Sequence, residues 1–286
     1  MNRRYRDFLK IRGQNLRDTL KILFNLSVHV VLRVVLQARF RNRSDVIRWI
    51  EGHPEVYWTR FPFDLEGTIL WNPWLYAWAD PLSFHWCAWN DFPEDWFNVR
   101  EGEVVLDVGA HRGYWTLLVL RFRPSLVVAV EPIPENFGYL LRHLGINGVR
   151  NCIPVRAACW NRVEPVRLEG SHEEPERWTA KGMTKSGREI LEVNGVTVDG
   201  LVQGLGLARL DWMKIDVEGA ECEVVEGARQ VLQSFRPTLL IEVHGTWPRL
   251  TSLLKEVGYV IERVAEDPVH PSYRGFIQAR STSSNT

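Results

Sequence analysis

The chain of 286 residues carries 35 Lys and Arg against 35 Asp and Glu, with 45% hydrophobic residues, the balance of a soluble globular protein with room for one large domain or a domain plus an appendage. Its four cysteines (Cys87, Cys152, Cys159, Cys222) form no C-x-x-C pair and no metal spacing, which excludes a disulfide framework and, with no cleavable signal at the start, predicts a reducing, cytoplasmic compartment. The zero net charge hides an asymmetry: residues 1–48 hold twelve basic against three acidic side chains, so a basic head precedes an acidic body.

Within that head, Thr19 to Phe40 is strongly apolar but interrupted by Lys21, His29, Arg33 and Arg39. A membrane-spanning helix wants about 18 or more nearly uncharged residues, so this stretch falls short. It reads either as a basic amphipathic helix making peripheral contact with an anionic membrane, or as a helix packed on the body with its charges solvated. Eight of the thirteen tryptophans (Trp49, Trp58, Trp71, Trp74, Trp78, Trp86, Trp89, Trp96) follow before residue 100. Phe63 to Trp71 predicts a hairpin around Glu66-Gly67, and the rest of this extension, to residue 98, reads as an indole-rich lid over an acceptor or as a hydrophobic plug.

From residue 99 the pattern changes to alternating strands and helices, an α/β body with a seven-stranded, mostly parallel sheet. Strands are expected at Val104–Val108, Leu126–Val130, Ile153–Ala157, Trp212–Ile215, Thr238–Val243, Val260–Val264 and Phe276–Ala279. Helices are expected at Tyr114–Arg121, Pro134–Leu144, Glu221–Leu232 and Pro248–Val257, with Pro134 and Pro248 at first helical positions. Gly170 to Asn194, rich in charge and glycine, reads as an exposed insertion or lid.

The first strand runs into Asp107-Val108-Gly109-Ala110-His111-Arg112-Gly113. A dinucleotide fingerprint needs glycine two positions after Gly109 so that the backbone can approach a pyrophosphate; His111 stands there instead. Glu131 closes the second strand, where a carboxylate can accept from two ribose hydroxyls. An adenosine without phosphates fits best, which points to S-adenosylmethionine.

The remaining strand ends are acidic as well. Asp216 lies in Lys214-Ile215-Asp216-Val217-Glu218-Gly219-Ala220-Glu221, and Glu242-Val243-His244 ends the fifth core strand. With Glu131-Pro132, Asn136, Asn147, the Ala157-Ala158 pair and Val196-Thr197-Val198-Asp199, these strings closely resemble the FkbM-type S-adenosylmethionine-dependent methyltransferases over residues 100–286. The resemblance implies a class I methyltransferase (Rossmann-like) domain acting on a hydroxyl of a sugar, glycan or secondary metabolite. It implies a cofactor set of Asp107, Gly109, Ala110, His111, Gly113, Glu131, Pro132, Ala158 and Asp216. One departure is the His111-Arg112 pair, which adds a cation expected beside the cofactor's carboxylate.

A hydroxyl needs a base near the sulfonium methyl, and Asp216, Glu218, Glu242 and His244 are the candidates. His244 has the ordinary pKa best suited to take and release a proton near neutrality, its tautomer held by Glu242 or Asp216. Glu218 reads equally as a helix cap and Glu242 as a partner orienting His244. No metal is expected, although Asp216, Glu242 and His244 are also a plausible divalent-ion set. The Asn- or Asp-Pro-Pro-aromatic run typical of amino methylation of bases is absent, and no nucleic-acid partner is implied. Two competing readings are an NAD-dependent oxidoreductase, which His111 opposes, and a catalytically silent membrane-recruited binding protein, which the acidic strand ends oppose.

Overall fold

The computed structural model describes residues 39, 61–64, 68–71, 96, 98–120, 122–171, 174–179, 189–265 and 274–282. The expected head helix, Thr19 to Phe40, lies outside them apart from Arg39, as do six of the eight tryptophans that precede residue 100. The chain divides into two compact units, residues 1–92 and 93–286. In the first, β1 (Phe61–Asp64) and β2 (Thr68–Trp71) form an antiparallel hairpin with Phe61 opposite Trp71.

The second unit is built on a seven-stranded sheet. Its parallel strands are β3 (Val104–Val108), β4 (Leu126–Val130), β5 (Cys152–Val155), β10 (Trp212–Ile215) and β11 (Thr238–His244), closed by antiparallel β12 (Tyr259–Val264) and β13 (Arg274–Ser281). The order is β12-β13-β11-β10-β3-β4-β5. Every residue of β3 is buried although successive side chains point to opposite faces, so both faces of the sheet are covered. This is why Val104 to Leu106 read as an apolar run without alternation.

Helices α1 (Tyr114–Leu120), α2 (Pro134–Ile146), α3 (Val198–Gly204), α4 (Glu221–Glu226), α5 (Arg229–Ser234) and α6 (Trp247–Glu256) complete the body. From β3 the chain builds outward through β4 and β5, whereas β10 and β11 lie on its other side, so the order reverses between β3 and β10. Ligands of open α/β sheets bind at such a reversal, beyond the carboxyl ends of the strands. Among the described residues, no helix is long and apolar enough to cross a membrane.

The described residues of the stretch expected as a lid belong to a second, four-stranded sheet. Its strands β6 (Ala158–Cys159), β7 (Pro165–Ser171), β8 (Glu174–Thr179) and β9 (Glu189–Val196) pair in the order β6-β9-β7-β8. Val166, Leu168 and Val193 turn inward onto Ala158 and Ile133, while Arg167 and Glu192 face solvent. Alternation with charged residues hid these strands from a reading of composition. The third core strand likewise ends at Val155, and Ala158 joins β6 instead.

The helix expected over Glu221–Leu232 is two helices. Gly227 lies so close to Trp160 that a Cβ there would meet its carbonyl oxygen at 2.0 Å. Its own carbonyl accepts from Asp199 N at 3.0 Å. The Asp199 carboxylate then caps a fresh start, accepting from Gln230 N at 3.1 Å and Val231 N at 2.9 Å. Asp199→Ala is therefore expected to lower stability by about 1–2 kcal/mol, the cost of a lost N-cap, measured as a shift of the urea midpoint at unchanged slope.

Candidate active site

At the end of β3 the chain turns sharply under β10. Gly109 has φ +79°, and a Cβ on it would lie 1.8 Å from the Asp216 carbonyl oxygen, so only glycine lets the two strand ends meet. The amides of this turn are already used: Gly109 N and Ala110 N donate to Val130 O, Gly113 N to Ala110 O, and His111 N to Glu131 Oε2 at 2.8 Å. A turn that spends these N–H groups internally has none of them to offer a pyrophosphate. His111 reaches this bond from a left-handed backbone, φ +51°.

Glu131 is 4% exposed. Its Oε1 accepts from Ile133 N at 2.9 Å, across the donorless Pro132. Burial pushes its carboxyl up to about 7, against the Ile133 and His111 amides and a hydrogen bond with Asn136, which all favour the anion. The carboxylate is thus rigidly aimed, with a further lone pair for a hydroxyl donor. Ala158 packs its methyl in the apolar cluster of the second sheet.

The centre of the site is a residue the sequence reading passed over as a catalytic or binding group. Lys214, on β10, lies with Nζ 3.3 Å from Asp107 Oδ1, 3.3 Å from Asp216 Oδ2 and 2.9 Å from the Gly109 carbonyl. Thr116 Oγ1 donates to the other oxygen of Asp107 at 2.6 Å. Asp107, fully buried, therefore anchors the lysine rather than reaching outward, and burial raises its carboxyl above the usual range despite Lys214 and Thr116. Burial would lower the Lys214 ammonium, but Asp107, Asp216 and Glu242 hold it above its ordinary value. For Asp216, burial is outweighed by Lys214, His244 and His111, which keep it ionised.

Asp216, Glu218, Glu242 and His244 do come together at the ends of β10 and β11. His244 Nε2 lies 3.4 Å from Glu242 Oε1 and 3.6 Å from Glu218 Oε1. The group that fixes the imidazole is Glu221, not Glu242 or Asp216. Glu221 Oε1 accepts from His244 Nδ1 at 2.9 Å and Gly219 N at 2.8 Å, and its Oε2 from Thr246 Oγ1 at 2.7 Å. Glu221 was legible only as part of the Lys214-to-Glu221 string, because its partner lies 23 positions away. Glu218, with φ +50°, faces His244, while Thr179 at the end of β8 donates to its carbonyl at 2.9 Å.

These carboxylates change what His244 can do. Burial alone would lower its pKa, but hydrogen bonds to Glu221 and Glu242 and the charges of Asp216 and Glu218 push it up to about 11. An imidazolium charged throughout the neutral range is no base there. Glu242 moves into that range instead, pushed up to about 7 by burial and by Asp216, with His244 and Lys214 opposing. Asp216, Glu218 and His244 also place one ligand atom each within 4.8 Å of one another, the set among the described residues that could hold a divalent ion.

Arg112 points away from the turn's open side. Its guanidinium is buried against α2, so the cation expected beside the cofactor's carboxylate is engaged elsewhere.

The Methyltransferase FkbM domain model matches residues 107–261, more than half of the chain. Methyltransferase sdnD of Sordaria araneosa is 26% identical over 212 residues, 61% of this chain and 80% of that protein. Hexuronic acid methyltransferase AglP of Haloferax volcanii is 29% identical over 160 residues, 55% of this chain and 63% of that protein, less than two thirds of its length. The crystal structure of methyltransferase FkbM from Methylobacillus flagellatus superposes with a TM-score of 0.47 at 15% identity, covering 72% of this chain and 52% of that one.

Proposed function

The chain belongs to the FkbM methyltransferase family, and from that premise we propose that it methylates a hydroxyl group of a sugar, glycan or small secondary metabolite. It is an S-adenosylmethionine-dependent methyltransferase, and the bound cofactor supplies an electrophilic methyl group on a sulfonium. The donor set suits that group: Glu131 stands where ribose hydroxyls would be received, and a turn without free amides at Gly109 to His111 fits a phosphate-free adenosine. The same turn disfavours NAD.

The observation that carries the hydroxyl reading is the group of four carboxylates, Asp216, Glu218, Glu221 and Glu242, around one imidazolium beyond the ends of β10 and β11. A hydroxyl must lose its proton as it is methylated, and Glu242, titrating at about 7, is the group matched to receive it. Asp216, ionised beside Lys214, is suited to accept a hydrogen bond and so orient the acceptor. His244 and Lys214 supply the positive charge that lets several carboxylates share so small a space.

AglP, by its name a hexuronic acid methyltransferase, supports including uronic sugars among the acceptors. The test is methyl transfer from labelled S-adenosylmethionine into a panel of hexuronic acids, neutral glycans and hydroxylated small molecules. Label appearing only in amine acceptors would overturn the hydroxyl reading. Calorimetry should show S-adenosylhomocysteine binding and no NAD binding. Glu131→Ala should weaken S-adenosylhomocysteine by about 1.5–3 kcal/mol, the range for hydrogen bonds to a charged acceptor. An unchanged affinity would remove Glu131 from the cofactor site.

A further inference from the structure

The turn between β3 and α1 is gripped from α2. Arg112, with a side chain 5% exposed, reaches back from the turn and donates from Nε to Asn136 Oδ1 at 3.1 Å and from Nη2 to Glu135 Oε1 at 3.1 Å. Its guanidinium lies 4.6 Å from the centre of the Tyr139 ring. The Arg112 carbonyl accepts from His143 Nδ1 at 2.7 Å, again from α2. Gly113 packs on Leu140 so closely that a Cβ would come within 2.6 Å of its Cδ1.

One of these contacts does more than pack. An Asn side chain has an oxygen that only accepts and an amide nitrogen that only donates. With the Arg112 guanidinium on Oδ1, the NH2 group of Asn136 is the end left to serve Glu131, whose carboxylate it meets through a side-chain hydrogen bond. The reverse orientation would set a guanidinium against the NH2 group and a carbonyl oxygen against a carboxylate, two unfavourable contacts inside a buried cluster. Arg112 therefore decides which way Asn136 faces, and Asn136 braces Glu131 together with the His111 and Ile133 amides.

We propose that Arg112 is a positioning residue for S-adenosylmethionine: by orienting Asn136 from beneath the turn, it aims the Glu131 carboxylate at the ribose hydroxyls. The proposal rests on the reading of Glu131 as the ribose carboxylate. It moves Arg112 from direct contact with the cofactor to an indirect role, which separates it from a cation that simply attracts the methionine carboxylate.

The test is a double-mutant cycle on S-adenosylhomocysteine affinity, measured by calorimetry on the full chain. Arg112→Met should weaken binding by about 3- to 10-fold, the worth of an ordinary hydrogen bond. In a Glu131→Ala background the same change should have almost no effect, because nothing remains to be aimed. Arg112→Lys keeps a donor for Asn136 Oδ1 and should restore most of the loss. An equal loss with and without Glu131 would mean that Arg112 only packs the turn, and would overturn the proposal, as would an unchanged affinity in Arg112→Met. Should Arg112→Met fail to fold, Asn136→Asp, which sets an oxygen against Glu131 whichever way it turns, takes its place in the same cycle with the same expectations. If the wild-type chain itself ignores S-adenosylhomocysteine, the cofactor assignment falls and the proposal with it. If the wild type binds but Glu131→Ala is silent, only the ribose reading and this proposal fall.

Discussion

Lys214→Met is expected to cost about 3–5 kcal/mol of stability, the usual penalty for removing one partner of a buried ion pair. The methionine would fill a similar volume, so the loss is electrostatic: Asp107, fully buried, and Asp216 would face each other without their shared cation. The Gly109 carbonyl would lose its donor at the same time. Marginal domains hold only about 5–15 kcal/mol in total, so a large part of the margin goes with one side chain. Urea unfolding followed by circular dichroism measures it. A companion Asp107→Asn, Lys214→Met double variant should recover part of the loss, since it removes the stranded charge together with its partner. A single variant as stable as wild type would show that Asp107 is protonated in the folded chain and that the lysine serves Asp216 alone.

Glu242→Gln is expected to lower turnover by about 10²- to 10⁴-fold, the range for a general base, while leaving S-adenosylhomocysteine affinity nearly unchanged. Only the ionised carboxylate can take the proton, and the group titrates at about 7, so the wild-type rate should rise with pH through that value and level off above it. The variant's residual rate should lack this step. His244 behaves differently because its folded pKa, about 11, lies above its ordinary 6.5. Its ionic stabilisation is complete below about pH 6.5 and fades only as the pH climbs through about 11. A rate step near neutrality that persists in Glu242→Gln would return the base to another group.

The strand ends could be read directly from the chain because a parallel strand covered on both faces is an apolar run, and its end is marked by the first glycine or carboxylate. Val104 to Gly109 and Trp212 to Asp216 follow that rule apart from Asp107 and Lys214, which stand inside their strands and pair with each other. The second sheet did not announce itself: β7 and β9 alternate Val or Leu with Arg and Glu over short spans, and the same residues taken as composition look like solvated loop. The break at Gly227 was hidden for another reason. It depends on Asp199 and Trp160, 28 and 67 positions earlier in the chain, and local helix preference says nothing of either.

What the sequence by itself determined is local: a turn that rejects pyrophosphate because His111 stands where a glycine is needed, and a row of carboxylates delivered to one edge of the sheet. Lys214 also carried a sign, since a lysine within Trp212-Met213-Lys214-Ile215 must find counter-charges if the strand is buried. What only the tertiary structure decided is which of these groups holds a proton and which way each side chain faces. Glu221 reaches His244 across 23 positions and Arg112 reaches Asn136 across 24. Charge interactions depend on distance through space and strengthen where water is excluded, so a histidine whose ordinary pKa suits a base becomes a fixed cation, and the glutamate beside it takes over the neutral range.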